Sequence, residues 1–107
     1  MNILEMMKQA GQMQARMQEL QAKVALIEAT GVSGGGLVTV TVTGKGQTQS
    51  ISIDPSLIVP EEAGVLEDLI RAAANDARAK ADAMAQEELE KLTEGLNLPP
   101  GFKLPGL

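Results

Sequence analysis

Apolar residues open the chain with a regularity that fixes the element they form. Ile3, Met6, Ala10, Met13, Met17, Leu20, Val24 and Ile27 are separated by alternating steps of three and four. This 3.5-residue repeat, kept over about three and a half heptads, predicts one long helix over residues 2–29 with a single apolar seam. Gln9, Gln12, Gln14, Gln18 and Gln21 keep its other faces polar. At 1.5 Å per residue such a helix is ~42 Å long. A globule of this size has a radius of gyration of only about 13 Å. Part of the helix therefore projects or lies on a second chain, and a partner chain is the preferred reading. Met6, Met7, Met13 and Met17 make that seam adaptable in shape.

The period then changes. Thr30 to Gly36 breaks the helix, with Gly31 expected at the left-handed position past its end and Val32 in a short edge strand. From Leu37 to Thr43, Val38, Val40 and Val42 alternate with Thr39, Thr41 and Thr43, which predicts a half-buried strand. Gly44-Lys45-Gly46 is a hairpin turn, and Gln47 to Ile53 returns with Ile51 and Ile53 inward and Ser50 and Ser52 outward. The outward face is small, hydroxyl-rich and uncharged, suited to solvent or to an equivalent sheet in a dimer. The expected dimer interface comprises Met13, Met17 and Leu20 of the seam and Thr39 and Thr41 of that face.

Asp54-Pro55-Ser56 ends the return strand, since proline cannot donate to a ladder. Leu57, Ile58 and Val59 are expected beneath a second helix that starts at Pro60-Glu61-Glu62 and runs to about Thr93, with Gly95 as C-cap. Its apolar stripe is Leu66, Leu69, Ile70, Ala73, Ala77, Ala81, Met84, Leu89 and Leu92, alanine-rich in the middle. The expected organisation is one domain over residues 1–96 and a Pro/Gly-rich arm over 97–107.

Composition removes most chemistry. There is no His and no Cys, so the commonest general base, thiolate nucleophiles and disulfides are excluded. The single aromatic, Phe102, provides no stacking platform for single-stranded bases. No apolar run approaches the ~18 residues of a membrane span. The opening Met1–Glu5 lacks the pattern of a secretory signal. These features point to a cytoplasmic, non-enzymatic domain with neither metal nor cofactor. Charge is uneven: residues 1–53 carry four basic and three acidic groups, residues 54–107 five basic and eleven acidic, for a net −5. A polyanion would have to be met by a local basic surface.

Gly34-Gly35-Gly36 stands after a helix and before a strand, the reverse of a phosphate-binding loop, and reads as a turn. Paired carboxylates such as Glu61-Glu62 and Glu67-Asp68 diverge around a helix axis and read as a solvated face. The basic residues carry more. Arg16 and Lys23 share an edge of the first helix with Lys8 adjacent; Arg71 and Arg78 are seven apart on the second, with Asn75 between them. These groups suit phosphates or base edges, or they are solubilising charge paired along the helices: Lys23 with Glu19, Arg71 with Glu67, Arg78 with Asp82. Asn75-Asp76 is unfavourable in mid-helix and implies a polar role, toward the sheet or a partner. The acidic stretch Glu87–Glu94 is expected to face away from the basic surface.

The ordered set MKQAGQMQARMQELQAK (Met7–Lys23), ATGVSGGGLVTVTVTGKG (Ala29–Gly46), ISIDPSL (Ile51–Leu57), LEDLIRAAANDARAKA (Leu66–Ala81) and LNLPPGFKLPGL (Leu96–Leu107) resembles the YbaB/EbfC family of bacterial nucleoid-associated proteins across nearly the whole chain. The resemblance implies an α+β fold, an α-β(3)-α subunit with a three-stranded antiparallel sheet, in a tweezer-shaped homodimer. It implies binding of double-stranded DNA in the nucleoid with low or shape-based sequence preference. Lys8, Arg16, Lys23, Arg71, Asn75 and Arg78 are then the candidate DNA contacts. It also implies influence on nucleoid organisation and transcription, and a place near DNA repair beside a recombination mediator. The rival reading is an adaptor for such a complex, docking through the proline arm or the methionine seam without touching DNA.

Overall fold

The computed structural model describes residues 2–96, with side chains to Leu92; the arm expected over 97–107 lies outside the described residues. Helix α1 runs Ile3–Leu26, its first turn capped by Asn2, whose Oδ1 accepts the Glu5 N–H at 2.8 Å. It stops three residues short of expectation because Ile27 turns extended and leads into strand β1, Glu28–Ser33. Strand β2 is Val38–Thr43 and β3 is Thr48–Ile53. After one-turn 3₁₀ segments at Pro55–Leu57 and Pro60–Glu62, helix α2 runs Ala63–Leu96 and passes through Gly95 without ending there.

The fold is α+β: three antiparallel strands in the order β1-β2-β3 with two long helices. Glu28 stands opposite Thr43 and Ser33 opposite Val38; Val38 stands opposite Ile53 and Val40 opposite Ile51. The β2–β3 register shifts between Thr41 and Val42, which leaves Gln49 as the extra residue.

The valine–threonine alternation does what the pattern requires. Val38, Val40 and Val42 are fully buried and meet Ala29, Leu57 and the Ala73, Ala77, Ala81 line of α2. On the other face the Thr30 and Thr41 hydroxyls bond each other at 2.9 Å.

Gly31 has a different role from the one expected. It lies inside β1 and marks no helix end, and a Cβ there would strike the carbonyl oxygen of Ala73 and the backbone nitrogen of Ala77. Glycine on the strand and alanine on the helix bring two backbones into direct contact.

The cover is incomplete. Helix α2 lies over β1 and β2, so Ile51, although on the core face opposite Val40, stays 51% exposed. Leu57 is buried as expected, whereas Ile58 and Val59 are 64% and 43% exposed. The second half of α2 outruns the short strands and meets α1 beyond them. The radius of gyration is 19.5 Å and the extents are 70 × 22 × 16 Å, so the helices do project.

Gly31→Ala is expected to destabilise the protein by about 1–3 kcal/mol, the cost of forcing a methyl into a packed contact. Gly11→Ala, in mid-helix with open space around the new methyl, should stabilise by about 0.5–1 kcal/mol. Urea unfolding of the two variants beside the parent checks both signs; equal effects would refute the contact.

Candidate nucleic-acid interface

Beyond the sheet, α1 and α2 run alongside each other and leave an open groove of about 380 Å³. Its floor is apolar: Leu20 of α1, 3% exposed, lies there with Leu92 of α2. Its walls carry Arg16, Glu19 and Lys23 from α1 and Glu88 and Lys91 from α2. The spacing of Arg16, Leu20 and Lys23 places all three on the helix edge that turns toward α2. Three cations face two carboxylates, a local positive excess on an acidic protein.

The ion pairs differ from those expected. Lys91 Nζ lies 3.5 Å from Glu88 Oε1, while Arg16 and Lys23 form no ion pair among the described residues, so the Lys23–Glu19 pairing is absent. Glu88 and Lys91 also overturn the expectation that the acidic end of α2 faces away from the basic surface. They stand in the same groove as Arg16 and Lys23. Lys91 is the residue that sequence reasoning missed. Its neighbours in sequence are mostly acidic, and only the packing of α2 on α1 reveals the cations it joins.

The second expected cluster lies elsewhere. Arg71, Asn75 and Arg78 are exposed and fall roughly 100–160° around α2 from the buried alanine line, at 3.6 residues per turn. They share a face with one another and not with the groove. Arg71 pairs with Asp68 at 3.2 Å, where Glu67 was expected, and Arg78 has no ion pair among the described residues. Lys8 is exposed on the outer part of α1. Of the residues expected at a dimer interface, Met13, Met17, Thr39 and Thr41 are half-buried in the single chain and Leu20 is buried at the groove.

Asp76 meets the sheet, one of the two roles its mid-helix position suggested. Its Oδ2 accepts the Val32 N–H of β1 at 3.1 Å and the Lys80 ammonium at 2.9 Å. Lys80 Nζ also donates to the Thr30 carbonyl at 3.3 Å. The Lys80 hydrogen bond, then that of Val32, holds the Asp76 carboxyl below its ordinary value of 3.8.

Among the described residues no helix is long and apolar enough to cross a membrane, and no cluster of carboxylates is arranged to hold a metal. The YbaB/EbfC DNA-binding family matches residues 1–96. The chain belongs to that family. A nucleoid-associated protein of Granulibacter bethesdensis is 56% identical over 104 residues, covering 97% of each chain. One from Brucella anthropi is 53% identical over the same length and share. The crystal structure of an uncharacterized protein, HP0035 of Helicobacter pylori, superposes with a TM-score of 0.69 over 92% of this chain and 99% of that one. Its 23% identity makes this a likeness of fold. YbaB/EbfC proteins are DNA-binding proteins and not enzymes.

In this YbaB/EbfC member a depressed native pKa at Asp76 stabilises the fold above the unfolded-state pKa, and that contribution is lost as pH falls through the native value. Asp76→Asn should therefore lower the urea midpoint at neutral pH, and the gap to the parent should close in strong acid, below 3.8. A gap independent of pH would show that the carboxylate charge has no part in the contact.

Proposed function

We propose that this protein is a nucleoid-associated protein that binds double-stranded DNA as a homodimer and acts in the cytoplasm on nucleoid organisation, transcription or repair. The observation that carries the reading is the convergence of Arg16, Lys23 and Lys91 on the α1–α2 groove in a chain of a DNA-binding family. Two of the three cations have no carboxylate partner among the described residues and can take phosphate oxygens without first breaking an ion pair. Lys91 gives up only an exposed pair, worth at most about 1 kcal/mol.

Dimerisation is supported by what a single chain leaves uncovered. Ile3, Leu4, Met6 and Met7 are 56–76% exposed along the first turns of α1, although they belong to a strongly apolar end of the helix. Two grooves held by one dimer gain effective concentration on a duplex. Few side chains here are suited to base edges, and a bond to phosphate carries no sequence information, so specificity is low or shape-based.

The test is a titration of duplex affinity against salt. Removing one cation that neutralises a phosphate lowers the slope of log affinity on log salt by about 0.9. Lys91→Gln, present in both subunits, should therefore lower it by about 1.8. Arg16→Glu with Lys23→Glu should abolish binding to every duplex alike while helicity is unchanged. Arg71→Glu with Arg78→Glu should act more weakly. The reverse order would move the site to the outer face of α2. A parent protein indifferent to duplex DNA at low salt would overturn the function.

A further inference from the structure

The two edges of the sheet are finished differently. On β1 the outward-facing groups at mid-strand are taken: the Val32 N–H by Asp76 and the Thr30 carbonyl by Lys80, with the two side chains paired at 2.9 Å. A carbonyl and an N–H two residues apart on one edge are the acceptor and donor that an incoming strand needs. Carboxylate and ammonium stand where that strand would place its own carbonyl and N–H. On β3 no side chain or loop plays this part among the described residues. Every β3 residue but Ile53 is exposed. The strand, Thr48-Gln49-Ser50-Ile51-Ser52-Ile53, has no charge and no proline, the usual guards of a free edge.

We infer that a second copy of this chain adds to the sheet at β3, strand β3 against its own twin, and that Asp76 and Lys80 bar the same addition at β1. The inference rests on the proposed homodimer and names its surface. Pairing an uncharged strand with itself about a two-fold axis sets no like charges opposite each other. It also gives the core-face side chain of Ile51, 51% exposed in one chain, a neighbour across the axis. A sheet with two open edges could join β3 of one copy to β1 of the next and grow without closing; a sheet with one open edge stops at two copies.

The chain contains no cysteine, so single cysteines report only between copies. Nitroxide labels at Ser50→Cys on β3 and Val32→Cys on β1 are read by pulsed electron resonance, with sedimentation velocity on the same samples. The Ser50 labels should lie within about 20 Å, flanking one shared strand boundary; the Val32 labels should lie farther apart, across five strand spacings of about 4.8 Å each. A dimer in which the Val32 pair is the closer one overturns this surface and leaves the dimer standing. A monomer at all concentrations overturns both. Asp76→Ala with Lys80→Met, checked for parent-like helicity by circular dichroism, should add species beyond the dimer that grow with concentration. A folded double variant that stops at the dimer overturns the sealing role. The label distances test the surface even if that variant fails to fold.

Discussion

The structure depends on the approach of two backbones, where Gly31 of β1 meets Ala73 and Ala77 of α2. Nothing larger than hydrogen fits on the strand, and the alanines keep the facing helix surface shallow. Such an approach gains little from area, since each alanine buries few atoms. It gains from fit, with many atoms close together and no void. The same closeness sets Asp76, one residue from Ala77, within reach of the Val32 N–H and Ser33 Oγ within 2.6 Å of the Leu69 carbonyl. Close seating and edge hydrogen bonds support each other: widening the first would break the second.

Because α2 is seated over β1, it cannot also cover β3. The helix has 34 residues and each strand six, so about 51 Å of helix meets about 20 Å of strand. The surplus has to find another partner, and α1 supplies it. The groove holding Arg16, Lys23 and Lys91 follows from a length mismatch between a helix and a small sheet. The exposure of Ile51 follows from the lateral position of the same helix.

Much of this was legible in the sequence. The 3.5-residue repeat marked α1, and the strict alternation of Val38–Thr43 marked β2 with its buried face, because both periods are properties of the local backbone. The alanine line of α2 was visible for the same reason. Strand β1 was largely hidden, since Thr30-Gly31 carries the composition of a turn; the glycine is there for a neighbour 42 positions away, which no local pattern records. Ile51 was placed on the correct face by its period, but the extent of helix cover over that face is a tertiary fact. The groove was half legible. Arg16 and Lys23 stood out by spacing, while Lys91 sat in an acidic stretch and gained its meaning only from α1. Ion-pair partners one turn apart were the weakest guide, because several carboxylates compete for each exposed cation at nearly equal energy.

A net charge of −5 is compatible with a polyanion partner for a reason the shape makes plain. Exposed charges farther apart than about 8–10 Å are largely screened at physiological ionic strength. In a molecule 70 Å long, most carboxylates lie several such lengths from any one surface, and a duplex at the helix pair would experience chiefly the charges beside it. Those are three cations and two carboxylates, one of the latter already engaged with Lys91. Elongation separates the acidic bulk from the basic groove, and the carboxylates that keep the protein from clinging to anions everywhere leave one place where it can.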